Sequence, residues 1–205
     1  MTGRSESRDQ DGMTANSRQL LVRVNARLLK RGTPSANMTE LARSAGVSTS
    51  TAYRHFASLD DVAQEHRTQV LIELRDFGAQ QPEIGRELLS ALSRRWVDLV
   101  MEHGHVLVTA RSQRGFYERI ANAIPSTVLA REARRKALFG VLDELGLPPT
   151  LEEDAAMLYN TLFDPRDILD LLNLRGFSPV RVTELLLAAF LGALDGWVAA
   201  LDADR

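Results

Sequence analysis

Met38-Thr-Glu-Leu-Ala-Arg-Ser-Ala-Gly-Val-Ser-Thr-Ser-Thr-Ala-Tyr-Arg-His-Phe56 is the stretch on which the fold turns. Asn37, just before it, and Glu40 form a capping-box-like pair: the Asn oxygen accepts an orphan backbone N–H of a helix and the Glu reaches back. A short helix over 38–45 follows. Gly46 supplies the left-handed conformation that ends it, and Ser48 caps the next helix, so 45–48 is a tight turn between two helices. With a second helix starting at Thr49, a rotation of about 100° per residue puts Thr49, Ser50, Tyr53 and Arg54 on one arc. Ala52 and Phe56 fall on the adjoining arc, where Leu41, Ala42, Ala45 and Val47 complete a small core. The alanines permit a close helix crossing.

The polar arc suits the major groove of duplex DNA. Small hydroxyls near a helix N-terminus can touch base edges and thymine methyls, whereas Tyr, Arg and His reach phosphates. Charge agrees with this. Between Met13 and Phe56 seven basic residues stand against the single acid Glu40, a net of +6, while the remainder carries 18 basic and 26 acidic residues, a net of −8. A basic module on an acidic body is the footprint of a polyanion-binding head, because each phosphate neutralised releases counterions.

Outward from this core, residues 1–16 are polar and aperiodic and read as a disordered arm. A helix from Ser17 to about Arg31 carries Leu20, Leu21, Val24 and Leu28 at helical spacing and stops at Gly32-Thr-Pro34. Ser58 caps a longer helix to about Gln80, with Asp60 and Asp61 in its first turn. Further helices are expected over 83–103, 105–121, 126–146 and 151–163. Asp164-Pro165 and Ser178-Pro179 each place an N-cap ahead of a proline at the first helical position, the second opening a helix to about Leu201. No segment alternates with period two. The predicted fold is all-α: a three-helix helix-turn-helix head over 17–57 and a helical ligand-binding and dimerisation domain over 58–205.

Leu41-Ala42 through Ala45-Gly46-Val47-Ser48, followed by Thr51-Ala-Tyr53-Arg-His55-Phe56, resembles the signature of the tetracycline-repressor (TetR) family: a helix, a Gly-Val-Ser turn and a recognition helix ending in Tyr-x-His-Phe. The match is specific over the head and architectural beyond it. The resemblance implies a ligand-responsive transcriptional regulator, a repressor in most such proteins, that binds a palindromic double-stranded DNA operator as a homodimer. It implies that Thr39 lies beside the DNA backbone or a base, that Thr49 and Ser50 read bases, and that Tyr53 and His55 hold phosphates. Thr51 and Arg54 complete the candidate DNA-binding set. Leu59 departs from the pattern, standing where the family often has a lysine, and removes one phosphate contact.

The C-terminal helix carries an apolar stripe at Leu186, Phe190, Leu194, Trp197 and Leu201 beside small residues at Ala188, Gly192 and Gly196. Small residues four apart let two backbones come close. The candidate dimer interface is therefore Leu186, Ala188, Phe190, Gly192, Gly196 and Trp197. Trp96, Met101, Phe116, Tyr117, Tyr159 and Phe163 are candidate walls of a pocket for a small-molecule effector, with His103, Arg111 or Arg114 as polar handles; each also reads as plain core.

Several classes are excluded or unsupported. With no cysteine there is no disulfide framework and no thiolate chemistry. No catalytic, phosphate-loop or dinucleotide motif is present, so neither an enzyme nor a cofactor is expected. Glu102 and His105 form one Glu-x-x-His pair where a di-metal bundle site needs two, so no metal is expected. The longest apolar run, Leu185 to Leu194, stops at Asp195, and no secretory signal is recognised; a cytoplasmic location without a membrane partner is expected. A helical enzyme or an interaction scaffold with an N-terminal helical hairpin remain as rivals, separable from the regulator by salt-dependent binding of duplex DNA.

Overall fold

The structure, a computed structural model, describes residues 3–109 and 114–203, with side chains from 16 onward to 200. All regular structure among the described residues is helical. In chain order the helices are α1 (Gly3–Lys30), α2 (Met38–Ala45), α3 (Thr49–His55), α4 (Leu59–Ala79), α5 (Gly85–Leu107), α6 (Phe116–Ala121), α7 (Pro125–Glu144), α8 (Glu152–Leu162), α9 (Pro165–Asn173) and α10 (Pro179–Ala203), with a 3-10 turn at Pro149–Leu151. The chain divides into two compact units, Met1–Arg67 with His105–Ala110, and Thr68–Gly104 with Arg111–Arg205.

The first unit is the head. Its core gathers Leu21, Val22 and Val24 of α1, Leu41, Ala42 and Ala45 of α2, and Ala52 and Phe56 at α3, all buried, with Val62 of α4. Leu59 packs on this cluster. This gives the start of α4 an apolar contact with the head. α1 differs from expectation in its start: it begins at Gly3, so that 3–16 is helical where the sequence reads as an arm. Extending a formed helix costs little compared with nucleating one, and nothing as disruptive as proline stands before Ser17.

In the second unit α7 packs on α6 and α8, and α10 packs on α8 and α9. Tyr159 lies at the centre. Its ring stacks on Phe163 at 4.1 Å and meets Phe190 of α10 edge-on at 5.6 Å, and its hydroxyl shares a hydrogen bond with Ser93 Oγ at 3.0 Å. Trp96 Nε1 donates to the Phe163 carbonyl at 3.0 Å, so each buried polar atom of these rings is satisfied. Two glycines permit backbone contact: a Cβ on Gly140 of α7 would fall 2.5 Å from the Gly85 nitrogen, and one on Gly85 would overlap the Glu144 carboxylate.

The expected break at Gly104 and the single helix over 105–121 are both corrected. α5 runs through Gly104 to Leu107, and among the described residues between 108 and 121 helix is found over Phe116–Ala121. The glycine serves packing rather than termination, since a Cβ there would come within 2.9 Å of Leu169 Cδ1. Arg111 lies outside the described residues.

Candidate nucleic-acid interface

Each joint of the α2–α3 hairpin is closed by a side chain or backbone group that the local sequence provides. Asn37 Oδ1 accepts the Glu40 N–H at 3.0 Å, and the Glu40 carboxylate accepts the N–H of Ala36, one residue earlier than a standard capping box, at 2.7 Å. Gly46 adopts φ 68°, and the N–H of Val47 returns to the Ala42 carbonyl at 3.0 Å. A side chain at Gly46 would meet nothing within 4 Å, so the turn demands glycine for its dihedral alone. Ser48 Oγ accepts the Thr51 N–H at 3.1 Å and caps α3.

The cap redistributes the predicted contact residues. Thr39, Thr49, Ser50, Tyr53 and Arg54 are exposed, whereas Thr51 and His55 are half-buried. Thr51 Oγ1 is hydrogen-bonded to Ser48 Oγ at 2.8 Å, so its hydroxyl helps to fasten the start of α3. Ser50 Oγ reaches the same Ser48 oxygen at 3.0 Å and stays solvent-facing. Tyr53, 52% exposed, is the largest apolar surface offered by α3.

Arg18 of α1, a residue outside the recognised motif, holds the other end of α3. Its Nη1 donates to the His55 carbonyl at 3.3 Å, its Nη2 to Glu65 Oε2 at 2.7 Å, and its guanidinium lies 4.6 Å from the Phe56 ring centre. A cation at a helix C-terminus satisfies an orphan carbonyl and opposes the helix dipole. Burial first, then the charges of Arg54 and Arg18, lower the His55 pKa, so its imidazole is neutral at pH 7. Its Nε2 is buried without a partner, which leaves Nδ1 for any phosphate contact.

The remaining candidates separate by burial. In the proposed pocket set, Trp96, Tyr159 and Phe163 are core, while Met101 and Tyr117 are 52% and 45% exposed and Phe116 is half-buried. On α10, Leu186 and Phe190 are packed inside their own chain and are withdrawn from the candidate interface. Leu185, Ala188, Ala189, Gly192 and Gly196 form the open face instead, with Trp197 half-buried. Over Pro179–Ala200 this helix is long and apolar enough to cross a membrane by length and composition, a 22-residue stretch that tolerates Asp195.

Arg134 is the residue that sequence reasoning missed. It stands in the charged run Arg131-Glu-Ala-Arg-Arg135, and it is 7% exposed and lies over two aromatic rings, 5.0 Å from the centre of Trp96 and 4.7 Å from that of Tyr159. Only its four-residue spacing from Ala130 and Leu138 hints at burial.

A capped helix-turn-helix with a basic, hydroxyl-bearing outer face has a geometry suited to the major groove of duplex DNA. Residues 26–65 match the model of the bacterial regulatory proteins of the tetR family. Over this region the chain is similar to the regulators of that family. Similar folds occur in a transcriptional regulator from Pseudomonas aeruginosa PAO1 (TM-score 0.62, 20% identity, covering 87% of this chain and 90% of that one) and in a tetR-family regulator from Streptomyces coelicolor (0.57, 22%, 91% and 89%). Another is Thermus thermophilus FadR, a TetR-family repressor solved with lauroyl-CoA (0.52, 22%, 85% and 93%). None of the curated proteins matches the chain.

Proposed function

We propose that the protein is a homodimeric, effector-controlled repressor acting in the cytoplasm, a binding protein rather than an enzyme. It binds a palindromic operator through Thr39, Thr49, Ser50, Tyr53, Arg54 and His55, with Thr51 securing the helix that carries them. The observation that carries this reading is the fastened α2–α3 hairpin, whose exposed face combines hydroxyls with Tyr53 and Arg54.

Dimerisation is supported by the open apolar face of α10, since a helix of this hydropathy is rarely left in water. A two-fold dimer presents its recognition helices to half-sites about 34 to 36 Å apart, one turn of the duplex. An effector in the second unit need only favour the conformer with the wrong spacing. A differential affinity of about 1 to 3 kcal/mol changes operator occupancy some 5- to 150-fold, and the effector must then bind the DNA-bound form more weakly by the same factor.

The test is retention of full-length protein on duplex DNA across a salt series. Log affinity is expected to fall linearly with log salt, with a slope of about −0.9 per phosphate neutralised. Absent or salt-indifferent retention returns the chain to a helical enzyme or scaffold.

A further inference from the structure

Arg134 of α7 is a buried cation without an ion pair among the described residues. Nη1 donates to the Ala130 carbonyl at 2.8 Å, the guanidinium lies over the rings of Trp96 and Tyr159, and Nε is buried with no partner. The carboxylates around it are committed elsewhere. Glu152 takes a forked contact from Arg131, Glu153 pairs with Arg131 at 2.9 Å, and Asp154 accepts the Tyr117 hydroxyl at 2.6 Å. A desolvated charge is costly unless compensated, and ring faces compensate only part of it.

Arg134 lines a small void with Arg131, Phe116, Leu138, Tyr159 and Asn160, among others, and of the two arginines Arg131 is already paired with Glu152 and Glu153. The void measures about 10 Å³, room for about one water. We propose that Arg134 anchors the carboxylate of a small apolar acid, the effector of this regulator, with α6 as the wall that moves to admit the acid's tail. A planar guanidinium edge matches a carboxylate in geometry, and the one arginine of the void that lacks an acidic partner balances one negative charge, whereas a dianion would leave an excess charge. The inference rests on the reading of the second unit as an effector-binding body.

α6 is the shortest helix among the walls. It has six residues, Gly115 caps it without a side-chain hydrogen bond, and Ala123 behind it sits at φ 49°, a strained region for a side-chain-bearing residue. Tyr117 latches it to α8 through Asp154. Phe116, half-buried, is the part of α6 that faces the void.

Melting of the full-length protein at constant ionic strength tests the site, with chloride replaced in turn by straight-chain monocarboxylates from acetate to octanoate and with the matching amides as uncharged controls. At least one carboxylate is expected to raise Tm saturably, by about 5 °C at a hundredfold excess over its Kd, while its amide does not. Arg134→Met is expected to abolish the rise, and Arg134→Lys, which keeps the charge and loses the fork, to weaken it. No carboxylate surpassing chloride, an equal effect of the amide, or an undiminished rise in either variant overturns the site. DNA retention measured in parallel keeps the two readings apart: a carboxylate rise upholds the site even where DNA is not retained, and its absence overturns the site even where DNA is.

Discussion

Arg18 Nη2 and Glu65 Oε2 lie 2.7 Å apart, so that one side chain of α1 joins the C-terminal end of the recognition helix to α4. Arg18 is 43% exposed, and the ion pair itself contributes little; its contact with Phe56 and the His55 carbonyl adds the rest. Arg18→Met is expected to destabilise the head by about 1 kcal/mol and to weaken DNA binding without changing the preferred site. A double-mutant cycle with Glu65→Gln, read by denaturant unfolding, isolates the pair; additive effects would show that the two residues are not coupled.

Roles within α3 divide by what each side chain is free to do. Thr49→Ala and Ser50→Ala are expected to change which operator is preferred, whereas Tyr53→Phe is expected to lower affinity for all sequences about equally. Thr51→Val should act differently from both, reducing helix stability by about 1 kcal/mol through the lost hydroxyl contact to the cap. Selection of binding sites from random duplexes, run for each variant, separates these outcomes. Uniform rescaling by every variant would remove Thr49 and Ser50 from base readout.

His55 makes the head sensitive to acid. Its pKa is lowered in the folded state, so below about 6.5 the unfolded chain takes up a proton that the folded chain does not. The stability of the neutral arrangement is present above that value and is lost as pH falls from 6.5 toward the folded-state pKa. Thermal melts between pH 7.5 and 5 are expected to show a decline that His55→Gln diminishes; identical slopes for the two proteins would exclude His55 as the cause.

The open face of α10 predicts its own disruption. Gly192 is exposed, and a side chain added there would meet nothing within 4 Å, so Gly192→Leu should leave the monomer fold intact and prevent close approach of a second copy. Phe190→Ala should instead unfold the second unit, with a cost of about 3 to 5 kcal/mol for a buried aromatic. Light scattering and calorimetry on both variants distinguish assembly from folding, and a monomeric wild type at micromolar concentration would refute the interface.

The head is legible in the sequence because its information is local. Asn37, Gly46 and Ser48 act through atoms two to five residues away, and the structure places their hydrogen bonds within one turn of where the sequence puts them. Legibility ends where the deciding partner is distant in sequence. Gly104 reads as a break because Leu169, which needs the space, lies far along the chain. Leu186 and Phe190 read as equally available with Gly192, since helical periodicity names a stripe and not which side of it is covered. Arg134 is hidden among charged neighbours for the same reason: its burial is decided by Trp96 and Tyr159.

Gly46 and Gly140 are the same residue type, yet they restrict the chain in opposite ways. At Gly46 there is space but an unusual backbone dihedral, so asparagine, which tolerates that dihedral, is an admissible replacement. At Gly140 the backbone of Gly85 occupies the volume that any side chain would need. A saturation library screened for folded protein would therefore recover a narrow spectrum of residues at the turn and essentially none at the crossing. Variation of this scaffold therefore belongs on the exposed face of α3, with Gly46 kept as glycine or asparagine, while α7 and the entry to α5 must be carried over as one indivisible piece.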